Sequence, residues 1–307
     1  MLNTSLIEVL ECPCCKGSLS IKNDVISCCL CGECFLLSNN VIDFRVKNTS
    51  ILNKTCSFFK AKKINECSRF LLNPVSSPFS PLAMITKYRI AKYYKDILVS
   101  KARALKFFNY YLGKTDLKEN DVVFDYGCGK GRISAMMSLL GFRIIGCDIY
   151  DDVFRHQIKN SLFYLQRPQA SFHIKNESID LLIDYLVINY IPQAELESYL
   201  AAIRSKLKEK GYFLLVSANP KSCGAHIFYK YCSTVFSSEL ILSYLQKLEF
   251  KINVFHYDAF YAPLFPLLFN WFRLNLKKEF EMFDYDSKLV SLMKPEKRGV
   301  FVILAQK

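Results

Sequence analysis

The chain has 307 residues, of which 51% are hydrophobic and 22% are charged, and its formal net charge is +13. This length suffices for about two domains, and the composition excludes a disordered or collagen-like protein. No apolar run reaches the roughly 18 residues of a membrane-spanning helix. The densest stretch, 262–272, is interrupted by Pro263, Pro266 and Asn270. Because the first residues also lack the pattern of a secretory signal, we expect a cytoplasmic protein.

A cluster of cysteines lies near the N-terminus, where seven of the chain's 13 cysteines fall between Cys12 and Cys34. It contains two C-x2-C pairs, and each such pair places two thiolates on one side of a tight turn. Two facing pairs supply the four tetrahedral ligands that Zn²⁺ prefers. We therefore predict a structural zinc site at Cys12, Cys15, Cys28 and Cys31, with Cys34 as an alternative to Cys31. A group of buried free thiols is the other interpretation.

Composition divides the chain into three parts. Residues 1–44 predict a small zinc ribbon, because a chain this short buries too little apolar surface alone and usually needs a metal or a disulfide. Residues 45–118 hold 16 Lys and Arg against three acidic residues and predict a basic helical connector. Its interleaved aromatic residues suit contact with RNA, although a solvated amphipathic helix explains them equally well. Residues 119–307 predict an α/β domain with an insertion at about 258–299, an apolar segment suited to a lid, to peripheral membrane contact or to core packing.

The α/β prediction rests on short apolar stretches that alternate with helical patterns from residue 121 onward. This alternation is typical of a mostly parallel sheet covered by helices on both faces. The predicted strands are Val122–Tyr126, Arg143–Ile149, Ser178–Leu186, Tyr212–Ser217, Lys251–Tyr257 and Val300–Ala305, and the clearest predicted helices are Gln193–Lys208 and Ser237–Leu248.

A glycine-rich loop follows the first of these strands. The strand ends near Asp125, and Gly127, Gly129 and Gly131 come before the next helix. Glycines at such a turn let the backbone approach a ligand closely. The second strand ends at Asp148, which a doubly wound sheet places beside this loop, where its carboxylate can accept both hydroxyls of a ribose.

This arrangement resembles the first two motifs of class I S-adenosylmethionine (SAM)-dependent methyltransferases. Residues 178–183 and 207–216 are similar to the family's fourth strand and to the turn into its fifth. The resemblance implies a doubly wound, mostly parallel, seven-stranded Rossmann-like sheet. It also implies that Asp125 and the glycine loop hold the methionine part of SAM and that Asp148 holds the ribose. A dinucleotide-binding domain, the rival interpretation, has a different glycine spacing and normally lacks an acidic residue at the position of Asp125.

The acceptor of the methyl group is less clearly indicated. Methyl transfer needs mainly positioning, with a base where the nucleophile carries a proton. Asp184 is the predicted base, because it lies at the C-terminal end of the fourth strand, where ligands bind. Tyr190 is the predicted pocket residue, because the resemblance places it where many small-molecule members of the family carry a histidine. We favour a small organic or lipid-like acceptor because the insertion is apolar. The alternatives are an RNA nucleobase, since the ribbon resembles that of ribosomal RNA guanine methyltransferases, and a non-catalytic binding protein with the same fold.

Overall fold

The computed structural model of the chain describes residues 4–22, 25–45, 110–129, 131–151, 155, 158–167, 171–222, 234–258 and 294–307. The basic connector and the apolar insertion fall largely on residues 46–109 and 259–293, which lie outside the described residues. The predictions made for those two segments therefore stay predictions.

Eleven strands of the described residues form one sheet. In chain order they are β1 (Leu19–Lys22), β2 (Val25–Cys28), β3 (Cys34–Ser38), β4 (Val41–Asp43), β5 (Val122–Tyr126), β6 (Arg143–Asp148), β7 (Ser161–Leu165), β8 (Ile179–Tyr185), β9 (Leu207–Ala218), β10 (Lys251–Asp258) and β11 (Val300–Gln306). Their spatial order is β1-β2-β3-β4-β7-β6-β5-β8-β9-β11-β10.

The last seven strands in sequence form the α/β part of this sheet. Strands β5 to β9 pair in parallel, whereas β11 runs antiparallel to both β9 and β10. The doubly wound, mostly parallel arrangement is confirmed, as are the six strands read from the sequence. Strand β7 (Ser161–Leu165), which is buried along its whole length, was not predicted from the sequence. The expected seven-stranded sheet is enlarged to eleven because β1–β4 pair onto it.

Helices cover both faces of the α/β part. The longer ones are α1 (Arg132–Leu139), α2 (Leu196–Lys206) and α3 (Ser238–Lys247). Helix α1 packs on one face through Met136 and Met137, and α2 and α3 pack on the other through Ile203 and Ile241. The two predicted helices are thus confirmed. Within the described ranges, no helix is long and apolar enough to cross a membrane.

The N-terminal strands join the sheet at its β7 edge. Strand β4 pairs in parallel with β7, so that Val41 lies opposite Phe163 and Asp43 opposite Leu165. An isolated bridge between Leu10 and residue 174 adds a second connection. Apolar side chains of the ribbon and of the α/β part belong to the same buried cluster. The ribbon is therefore built into the sheet, and its last strand ends at the same edge as β7.

Candidate functional site

The loop between β5 and α1 makes its turn with three glycines in left-handed conformations. Gly127, Gly129 and Gly131 have φ values of 65°, 52° and 77°. A Cβ atom on Gly127 would lie 2.3 Å from Val187 Cγ2, and one on Gly131 would lie 2.7 Å from Ile158 Cδ1. Glycine is thus required at the first and last of these positions both by the backbone and by the space around it.

Asp125 lies beneath this loop and is 1% exposed. Its Oδ2 accepts hydrogen bonds from the Ser134 amide at 3.0 Å and from the Ser134 hydroxyl at 2.6 Å, which tie the end of β5 to the first turn of α1. Within the described residues, Oδ1 has no hydrogen-bond partner. Burial raises the pKa of Asp125 to about 7, although the Ser134 donors act in the opposite direction.

Asp148 ends β6 next to the same loop and stays partly exposed. Its Oδ2 accepts from the Gly129 amide at 2.7 Å, and its Oδ1 accepts from the Tyr150 amide at 3.1 Å. The structure thus brings the loop and this carboxylate together, as the sequence predicted. Each Asp148 oxygen keeps a lone pair for a ligand, because each accepts one bond.

Asp184, the predicted base, is buried completely at the end of β8. Its Oδ1 accepts from the amides of Val187 and Ile188 at 2.8 and 3.0 Å, and its Oδ2 accepts from the Tyr199 hydroxyl at 2.6 Å. Burial raises the pKa of Asp184 to about 6 despite these three donors. In this arrangement the carboxylate holds the turn after β8, and a role as base stays a prediction.

Tyr190, the predicted pocket residue, lies on that same turn with 53% of its surface exposed. Its amide donates to the Val187 carbonyl at 2.9 Å, which closes the 3-10 turn Ile188–Tyr190. The side chain follows the carboxyl end of β8, one strand away from the glycine loop of β5. This placement suits contact with an acceptor, and the predicted role remains to be tested.

Sequence reasoning did not single out Arg155, whose side chain is fully buried. Its Nη1 lies 3.5 Å from Cys128 Sγ in the glycine loop, its Nη2 donates to the Tyr150 carbonyl, and Asp151 lies 3.7 Å away. An arginine in a stretch with other charged and polar residues gives no sequence signal of burial. Only the fold brings this guanidinium under the loop.

The four predicted zinc ligands converge at the other end of the sheet. The Sγ atoms of Cys12, Cys15, Cys28 and Cys31 all lie within 4.8 Å of one another. The Cys12–Cys31 and Cys15–Cys28 sulfur pairs are 3.7 and 3.4 Å apart. Four sulfurs bound tetrahedrally at about 2.3 Å from zinc are separated by about 3.8 Å, so the group has the dimensions of a zinc site.

Backbone amides support these sulfurs. The Cys14 amide donates to Cys12 Sγ and the Leu30 amide to Cys28 Sγ, both at 3.4 Å. Burial raises the pKa of Cys12, whereas at Cys28 the opposing effect of burial is outweighed by nearby amides and thiols, which lower the pKa to about 6. Cys34 lies outside the group, and its sulfur is 3.4 Å from the Gly32 carbonyl.

Comparison with known proteins bears on the α/β part. Residues 124–215 match a family model described as a methyltransferase domain. A SAM-dependent methyltransferase from Archaeoglobus fulgidus is similar at 16% identity and a TM-score of 0.49, over 69% of this chain and 94% of that one. A possible histamine N-methyltransferase from Thermotoga maritima is similar at 19% identity and a TM-score of 0.44, over 73% and 98%. Comparison with curated protein sequences gives no match.

The matched residues run from β5 into β9 and contain the glycine loop, Asp125 and Asp148. The α/β part therefore contains a methyltransferase domain. The described residues fit SAM, because the loop region offers an unsatisfied buried acceptor at Asp125 and a partly exposed carboxylate at Asp148. These suit a ligand that carries an amino group and two neighbouring hydroxyls.

The raised pKa of Asp125 predicts how stability depends on pH in the absence of SAM. Because the folded pKa of about 7 lies above the unfolded value near 4, folding favours the protonated carboxyl. The contribution of Asp125 to the free energy of unfolding is fully present below about pH 4 and is lost as pH rises through about 7. We expect Asp125→Asn to flatten this decline in urea unfolding between pH 4 and 8.

Glu249→Gln is the matched control, because this carboxylate is 84% exposed. Its unfolding curve should keep the decline of the wild-type protein. An Asp125→Asn protein with the same pH dependence as the wild type would contradict a buried, protonated Asp125.

Proposed function

We propose that the protein transfers the methyl group of SAM to a small organic or lipid-like acceptor bound at the carboxyl edge of the sheet. The observation that carries the cofactor half of this proposal is the contact of 2.7 Å between the Gly129 amide and Asp148, which joins the glycine loop to the carboxylate ending the next strand. The acceptor half rests on the charge and accessibility of the same edge.

Each residue of the loop region takes a separate part in holding the cofactor. Asp148 would accept the ribose hydroxyls with its remaining lone pairs, and the backbone of Gly127–Gly131 would lie against the methionine part. Asp125 would accept from the methionine amino group through Oδ1. When bound, SAM supplies a methyl group on a positively charged sulfur. The glycines let the backbone approach that ligand without obstruction by side chains.

The charges at the carboxyl edge favour an acceptor that is not a polyanion. Asp148 ends β6 here, Asp151 follows three residues later, and Asp258 ends β10 at the same edge. Two described cations near Asp148 are engaged, since Arg45 forms a 2.7 Å ion pair with Asp43 and Arg155 is buried. RNA phosphates would meet carboxylates at this edge, whereas a small neutral or cationic acceptor would not be repelled.

For the transfer itself, the residues that follow β8 supply the geometry. Tyr190, half exposed, would line the acceptor pocket. Asp184 would fix the turn that carries Tyr190, through its bonds to the Val187 and Ile188 amides. Should Asp184 also act as the base, its bond to Tyr199 offers a path by which a proton could move, since burial already raises the pKa of this carboxyl toward neutrality.

We also propose that Cys12, Cys15, Cys28 and Cys31 bind one structural zinc ion. All four positions of a tetrahedral ion would be filled by protein sulfurs, which leaves no position for a substrate. The spacing of the sulfurs and the amide donors at Cys12 and Cys28 support this proposal. The metal would stabilise the ribbon and take no part in methyl transfer.

Replacing Asp148 tests the cofactor site. Loss of hydrogen bonds to a charged group costs about 1.5–3 kcal/mol, so Asp148→Ala should weaken SAM binding by about tenfold or more in titration calorimetry. Asp258→Ala is the control, since this carboxylate ends β10, which is separated from β6 by four other strands. Equal SAM affinity in the wild type and Asp148→Ala would place the ribose elsewhere.

Metal analysis tests the cysteine site. Freshly reduced protein should contain about one zinc per chain. Cys31→Ser should lose most of this zinc, whereas Cys34→Ser should retain it because Cys34 lies outside the sulfur group. Zinc-free wild-type protein, or equal zinc in the two variants, would exclude the proposed ligand set.

Labelled SAM tests the acceptor class. The protein should transfer methyl label to a small-molecule or lipid extract, and Tyr190→Ala should raise the KM for the acceptor while the Kd for SAM stays unchanged. Purified ribosomal RNA, tested in parallel at low and moderate salt, should remain unlabelled. Transfer to RNA that weakens steeply with salt would establish the alternative acceptor.

A further inference from the structure

The turn between β3 and β4 connects the ribbon to the segment that precedes β7. Asn40 in this turn is 7% exposed. Its side-chain nitrogen donates to the carbonyls of Arg155 and Ile158 at 3.1 and 3.3 Å and to the Ser161 hydroxyl at 2.8 Å. Its own carbonyl accepts from the Phe163 amide at 2.7 Å. One ribbon residue thus holds four points of a segment that belongs to the methyltransferase domain.

That segment supports the glycine loop from below. Arg155 Cγ and Ile158 Cδ1 would lie 3.0 and 2.7 Å from a Cβ on Gly131, so both side chains touch the loop closely. Ile158 also packs with Cys128 of the loop and with Val41, the ribbon residue next to Asn40. The loop therefore rests on side chains whose backbone is fixed by the ribbon.

Because its guanidinium is buried, Arg155 requires a main chain that is held in one position. Arg155 has no exposed surface, and its Nη1 lies 3.5 Å from Cys128 Sγ. A buried charge requires partners at fixed positions, because a small displacement leaves it unpaired. Asn40 holds the Arg155 carbonyl, and so it anchors the main chain from which the guanidinium extends.

We propose that Asn40 is a positioning residue for SAM binding, which acts through Arg155 and Ile158 on the loop Gly127–Gly131. The ribbon then has a role in the reaction beyond its own stability, since it completes the support of the cofactor loop. This inference rests on the proposed function, in which that loop holds SAM. It predicts that substitution of a ribbon residue changes the affinity for SAM although that residue does not contact SAM.

The test compares four proteins by calorimetric titration with SAM and with its product, S-adenosylhomocysteine. Asn40→Ala removes the three side-chain hydrogen bonds and should raise Kd about fivefold or more. Ser20→Ala is the matched control, because it removes a 3.0 Å bond to Ser27 within the ribbon hairpin, away from the methyltransferase domain. Its Kd should equal that of the wild type. Ser161→Ala, which loses the partner of the shortest side-chain hydrogen bond of Asn40, should weaken binding in the same direction.

A double variant separates positioning from general stability. If Asn40 and Ser161 act as one unit, the increase in Kd for the double variant should be smaller than the product of the two single increases. Thermal unfolding of each protein is measured alongside. A lower midpoint for Asn40→Ala with an unchanged Kd would show a purely structural role and overturn the inference.

The remaining outcomes are also decisive. If Asn40→Ala does not fold, Ser161→Ala decides, and wild-type affinity in that variant overturns the inference. Wild-type protein that binds neither SAM nor S-adenosylhomocysteine overturns the proposed function and this inference with it. Normal wild-type binding together with unaffected variants overturns the inference alone.

Discussion

The parallel pairing of β4 with β7 is the interaction on which the rest of the structure depends. A module of about 44 residues buries too little apolar surface to be stable alone, and a sheet edge with free backbone groups invites unwanted pairing. The pairing of Val41–Asp43 with β7 removes both sources of instability, because it covers the β7 edge and attaches the ribbon to the larger α/β part. It also places the end of the ribbon at the edge where the cofactor loop lies.

Aromatic packing makes this pairing continuous through the sheet. Phe44, which follows β4, contacts Phe35 of the ribbon with ring centroids 4.9 Å apart and Tyr164 of β7 at 5.4 Å. Tyr164 in turn lies parallel to Phe124 of β5. Four packed rings thus lead from the ribbon to the strand that carries the glycine loop, and dense packing of this kind resists independent movement of the two parts.

Three carboxylates near the carboxyl edge show how burial distinguishes chemically identical groups. Asp125 and Asp184 are buried, and burial raises the pKa of both despite several donors. Asp148 stays partly exposed and accepts one backbone bond on each oxygen. Asp184 is suited to fixing a turn, Asp125 fixes the start of α1 with one oxygen and offers the other to a ligand, and Asp148 is suited to binding a ligand. Their separate surroundings follow from strand ends that meet at one edge of a parallel sheet.

The sequence by itself determined the local features of this protein. Apolar stretches specified six of the seven strands of the α/β part, and the spacing of Cys12, Cys15, Cys28 and Cys31 specified their convergence, since short-range patterns suffice for both. The buried state of Asp184 and the contact of Asn40 with Arg155 were decided by the tertiary structure alone. Asn40 and Arg155 are 115 positions apart in the chain, and no local pattern reports which residues a sheet edge will bring together.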